Sequence, residues 1–96
     1  MTENRNLEEI RAEIDKLDQQ LLEIFCKRME LAADVAEYKI LHNLPTLRPE
    51  REKAILDRAE QNAGAEFGSY ARSLFESIMS LSRDYQNSLR NQEVTE

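Results

Sequence analysis

Residues 7–41 read LEEIRAEIDKLDQQLLEIFCKRMELAADVAEYKIL, a stretch without glycine or proline. Counted in sevens from Leu7, its core-type positions are Leu7, Ile10, Ile14, Leu17, Leu21, Ile24, Arg28, Leu31, Val35, Tyr38 and His42. That is the pattern of one uninterrupted amphipathic helix. A helix of about 35 residues at ~1.5 Å each is roughly 52 Å long. A compact chain of this size is only about 30 Å across, from a radius of gyration of roughly 12–13 Å. The apolar seam therefore needs either a sharp bend or a second copy of the chain, and no residue between Leu7 and Leu41 offers a bend. One seam position, Arg28, is a cation, and such polar interruptions carry the functional reading.

The chain has 96 residues, two Gly and two Pro, and 33% of its residues are charged. This composition predicts an all-α fold in a single domain spanning 1–96, with three helices. Asn6 is the expected N-cap of the first helix, with Glu8 and Glu9 in its first turn; residues 1–6 form a frayed lead-in. His42 to Arg48 contains Pro45 and no helical period, so it reads as a loop. His42 lies where an imidazole meets the free carbonyls of a helix end, a plainer role than catalysis. The second helix starts with Pro49 at its first position and runs to about Asn62, burying Ile55, Leu56 and Ala59. Gly64 and Gly68 punctuate a connector, and the third helix starts near Ser69. Its apolar side carries Ala71, Leu74, Phe75, Ile78, Met79, Leu81, Tyr85 and Leu89. Residues 91–96 read as a polar, disordered tail.

A net charge of −6 argues against a general nucleic-acid or anionic-membrane binder, both of which prefer basic surfaces. No apolar run approaches the ~18 residues of a membrane span. The single cysteine, Cys26, allows no intrachain disulfide and reads as a packing residue in a reducing, cytoplasmic compartment.

Arg28 and Lys39 are three helical turns apart and project from nearly the same face, about 16 Å apart along the axis. Ser82 and Gln86, an i,i+4 pair, put a hydroxyl and an amide on a stripe that is otherwise apolar. Arg51 and Glu52 add a cation and a carboxylate one turn into the second helix. Arg11 lies some 25 Å along the rod from Arg28 and is rotated by about 100°; it reaches a common site only from a second chain. Each feature has a plain alternative. A lone Arg28 can fix register in a bundle, Lys39 or Arg51 alone can be a salt-bridging surface, and Ser82 with Gln86 can be an exposed strip. Together they suit holding a polyanion. With no metal-ligand spacing and no nucleophile–base pair, they do not suit acid–base or covalent catalysis, and neither a metal nor a cofactor is expected.

The string from Leu7 through Arg11, Asp15 and Asp18 to Leu22, followed by Lys27-Arg28-Met-Glu-Leu-Ala32, Tyr38-Lys39, Arg51-Glu52, Leu74-Phe75 and Ser82-Arg-Asp-Tyr-Gln86, resembles the all-helical class of chorismate mutases. The resemblance covers about residues 7 to 90. It implies an intertwined homodimer of three-helix chains with two identical sites, catalysing the Claisen rearrangement of chorismate to prephenate on the route to phenylalanine and tyrosine. Arg28 and the partner chain's Arg11 would clamp the substrate carboxylates, with Ser82 assisting. Lys39 and Gln86 would donate to the ether oxygen, Glu52 would accept from the ring hydroxyl, and Arg51 would support the site.

One position departs from the pattern. Where the family commonly has an aspartate three residues before Arg51, this chain has Arg48, which removes an acidic helix cap worth ~1 kcal/mol unless Thr46 or water substitutes. Arg48 also adds a cation at the edge of the substrate site. It keeps open a relative acting on isochorismate, such as an isochorismate pyruvate lyase. A non-enzymatic dimeric helical module is the reading from another class. It would keep the seam, with no need for Lys39, Glu52 and Gln86 together.

Overall fold

The structure, a computed structural model, describes residues 5–94 and contains two helices, α1 (Leu7–Leu41) and α2 (Pro49–Val94). No strand occurs among the described residues. The all-α expectation holds, but two helices replace the expected three. Compactness divides the chain within α1, into a unit ending at Glu30 and a unit beginning at Leu31.

The start of α1 is set by Asn6, whose side-chain Oδ1 accepts the N–H of Glu9 at 2.8 Å, a cap worth about 1 kcal/mol. Glu8 and Glu9 sit in the first turn, where the helix dipole favours acids. At the other end Asn43 takes the left-handed conformation (φ 56°). Leu44 N–H then reaches back to the Lys39 carbonyl at 2.8 Å, and Asn43 N–H to that of Ile40 at 3.3 Å. This pair of bonds satisfies the last carbonyls and turns the chain off the helix axis. His42 shares this end. Its Nδ1–H donates to the Tyr38 carbonyl at 2.8 Å, and its ring stacks on Tyr38 with centroids 4.0 Å apart, which is the plain role expected for it.

In the first unit, no residue from 5 to 30 is buried within the single chain. Leu17 and Ile24, both on the heptad seam, are 62% and 63% exposed, and Cys26 is exposed rather than packed. In the second unit, the face of α1 that turns inward is not the seam counted from Leu7. Ala32 and Ala36 are buried, while Leu31, Val35 and Tyr38 stay exposed. The heptad count selected large apolar residues, whereas the chain packs on small ones, which let helices approach closely.

Proline opens α2 as expected, but the connector expected around Gly64 and Gly68 shrinks to one residue. Gly64 alone leaves helical geometry (φ 85°, ψ 177°), and 65–67 are helical. At Gly64 the helix folds back, so that its two arms run side by side. Arg72 on the later arm reaches Asp57 at 2.9 Å and Glu60 at 3.1 Å on the earlier one, and Arg83 reaches Glu52 further along. Lys53 first, then Arg72, holds the Asp57 carboxyl below its ordinary value. That clip is therefore present at neutral pH and is lost only as pH falls through the lowered value. Gly68 serves a different purpose: a Cβ there would lie 2.9 Å from the Glu60 carbonyl oxygen, so its lack of a side chain lets the arms touch. Ile55, Met79, Ser82 and Gln86 are buried, Leu56 and Ala59 half-buried, and Leu74, Leu81 and Tyr85 exposed.

The expected tail from Asn91 is also corrected, since α2 continues to Val94. No Gly or Pro follows Gly68 to stop it. The lead-in over 1–4 and the last residues, 95–96, lie outside the described residues.

The conformation of Gly64 falls in a region open essentially to glycine alone, where another residue costs about 1–3 kcal/mol. Gly64→Ala should destabilise the fold by that amount. A lowered urea midpoint at unchanged slope is the expected result; an unchanged midpoint would show that the bend does not require glycine.

Candidate active site

Lys39 lies in the last turn of α1, where the free carbonyls favour a cation. Its Nζ donates to the Thr46 carbonyl at 2.7 Å, and the side chain is half-buried. Burial foremost, then the charges of Arg48 and Arg90, pull its pKa below the ordinary lysine value, and Glu52 opposes them. Four charged groups from α1, the loop and both arms of α2 thus share one electrostatic neighbourhood. The loop is tied from two sides, since Arg90 also donates to it, at 2.7 Å from the Leu44 carbonyl.

Glu52 sits one turn into α2, its N–H bonded to the Arg48 carbonyl at 3.0 Å. Among the described residues no side chain caps this helix start, and the Thr46 carbonyl is taken by Lys39. The Glu52 carboxylate is paired through Oε1 with Arg83. This leaves Oε2 as an acceptor, because a carboxylate offers about four lone-pair positions.

Ser82 and Gln86 form a buried polar strip on the later arm of α2, each only 7% exposed. Gln86 Nε2 donates to Ser82 Oγ at 2.9 Å, while Gln86 Oε1 has no partner among the described residues. Turning the amide over keeps the Ser82 contact, with the hydroxyl then donating, and presents the NH2 group in place of Oε1. A buried amide edge without a partner is costly by itself and suits a polar group of a bound molecule.

The structure brings Lys39, Arg48 and Glu52 into one neighbourhood and joins Ser82 to Gln86. Arg51, beside Glu52, is exposed, as is Arg48. Arg11 and Arg28 belong to the first unit, Arg11 exposed and Arg28 half-buried. Two further residues went unread in the sequence. Arg83 and Arg90 flank Gln86 on α2, one holding Glu52 and the other holding the loop. For Arg90 a signal was available, since it continues the Ser82–Gln86 strip at the same four-residue interval; Arg83 had none.

The model of the family described as chorismate mutase type II matches residues 10–87. The chain belongs to this family. The match encloses all eight candidate residues, from Arg11 to Gln86, and leaves Arg90 beyond its end. Among similar proteins, a 4-amino-4-deoxychorismate mutase of Streptomyces venezuelae is 40% identical over 66% of this chain and 61% of its own length. A chorismate mutase of Methanocaldococcus jannaschii is 48% identical over 54% of this chain and 52% of its own. The chain thus spans between half and two thirds of these two relatives. A solved structure, a conserved hypothetical protein from Pyrococcus furiosus, superposes with a TM-score of 0.71 at 38% identity, covering 83% of this chain and 93% of that one. Within the chorismate mutase type II family, then, the Lys39, Glu52, Ser82 and Gln86 groups and Arg83 lie inside the matched segment, and Arg90 lies just outside it.

Proposed function

We propose that this protein is a chorismate mutase, converting chorismate to prephenate for phenylalanine and tyrosine synthesis in the cytoplasm, and that it works as an intertwined homodimer. The observation that carries the activity is the grouping of Lys39 and Glu52 in one unit with the buried Ser82–Gln86 strip, inside the segment that defines the family. The dimer is supported by the uncovered seam: large apolar residues from Leu7 to Leu41 that a single chain leaves in water. Among the described residues no helix is long and apolar enough to cross a membrane.

The rearrangement breaks the ether C–O bond and forms a C–C bond in one cyclic step, and no proton passes to the protein. The residues therefore contribute in two ways. They hold the dianion in a folded near-attack conformer, and they place donors where negative charge builds on the ether oxygen. In this reading Arg28 and the partner's Arg11 clamp the carboxylates, assisted by Ser82. Lys39 gives up the Thr46 carbonyl to donate to the ether oxygen, Gln86 turns its NH2 group to the same atom, and Glu52 accepts from the ring hydroxyl. Arg48 and Arg51 add positive potential at the rim. The substrate named for the Streptomyces relative carries an amine where chorismate carries that hydroxyl; the pairing of Glu52 with Arg83 favours the hydroxyl here.

The test is an absorbance assay of chorismate loss with product identification. Prephenate is expected. Pyruvate release would indicate a lyase instead, and no turnover would leave a helical interaction module.

Gln86 gives a sharper check of the site. A carboxylate cannot donate a hydrogen bond, whereas a carboxylic acid can. Gln86→Glu should lose activity at neutral pH and regain much of it in acid, where the group is protonated. Equal activity of the variant and the parent at neutral pH would remove the amide from the mechanism.

A further inference from the structure

The contact between Arg83 and Glu52 joins the two arms of α2 at an acidic group whose charge Lys39 feels. The side chains are 32% and 22% exposed, so water screens the pair only in part. Arg83 touches that carboxylate, and Lys39, which also feels Arg48 and Arg90, lies close enough to feel it. Arg83 uses Oε1 alone, which leaves Oε2 able to accept one hydrogen bond.

A neutral hydroxyl needs no more than that single acceptor. An aliphatic amine is protonated at neutral pH, and once stripped of water it needs an uncompensated negative charge. Glu52 does not offer one, because its charge is already shared with Arg83, and the remaining groups of the neighbourhood repel a cation. Such repulsion discriminates between ligands without any change of shape.

We infer that Arg83 is a positioning and specificity-determining residue: by pairing with Glu52 it keeps that carboxylate as an acceptor for a ring hydroxyl and withholds it from a ring ammonium. The inference rests on the proposed mutase reading and deepens it, since it names which of two related substrate classes the site takes. Arg83 acts through Glu52 and need not touch the substrate.

The experiment compares kcat/KM for chorismate and for 4-amino-4-deoxychorismate in the full chain, in Arg83→Met and in Arg83→Lys. The ratio of the two values is measured within each preparation, so it does not depend on how much of a variant folds. The parent protein should prefer chorismate, Arg83→Met should narrow the preference by about tenfold or more, and Arg83→Lys should largely restore it. If the parent turns over chorismate but its preference is the same in Arg83→Met, or if it prefers the amino substrate, this inference is overturned and the mutase reading stands. If the parent converts neither substrate, both fall together.

Discussion

Lys39→Ala is expected to lower kcat by on the order of 10³-fold or more, because a fixed charge aimed at the breaking bond in a water-poor site is usually the largest catalytic term. The helical content of the variant should match that of the parent. Lys39 makes one hydrogen bond to the loop, at Thr46, and Arg90 holds the same loop independently at Leu44. The pH profile gives the same claim a second readout. Lys39 must be charged to act, while its burial and the neighbouring Arg48 and Arg90 favour the neutral amine. In the free protein, activity should therefore fall as pH rises through a value below the ordinary lysine pKa of 10.5. Binding the dianion offsets those cations, so the alkaline limb of kcat should lie at higher pH than that of kcat/KM. A folded Lys39→Ala protein with near-normal turnover would remove Lys39 from the mechanism.

The elements best read from sequence were those fixed by local chemistry. Asn6 caps α1, Pro49 opens α2, and residues 42–48 between the two helices lack any helical period, so those bounds needed no tertiary information. Counting in sevens finds the large apolar seam, which was expected to need more than one chain to cover it, but it does not show the small-residue face on which α1 packs within its own chain. Within one chain Ala32 and Ala36 are covered, and Leu31, Val35 and Tyr38 are not. The two glycines after Asn62 looked alike in sequence yet differ in function: Gly64 makes the bend, and Gly68 makes room for the Glu60 backbone. Only the folded-back arms separate those roles. The same holds for the candidate site. Lys39, Glu52, Ser82 and Gln86 interrupt apolar stripes and could be picked out by period, as could Arg90 on the Ser82–Gln86 strip, whereas Arg83 looks like an ordinary surface cation until the hairpin carries it to Glu52.

The central claim is that each site is completed by a second chain. In sequence, Arg11 and Arg28 are too far apart on one helix to grip one small dianion. Arg11→Ala and Arg28→Ala homodimers should each be nearly inactive, because every site in either lacks one carboxylate clamp. The deciding measurement is to unfold the two variants together, refold the equimolar mixture and assay it. Random exchange makes half of the dimers mixed, and in a mixed dimer one site receives both arginines while the other receives neither. About a quarter of the parent activity should return. If subunit exchange is demonstrated and no activity returns, Arg11 and Arg28 do not meet across two chains and the shared site is wrong.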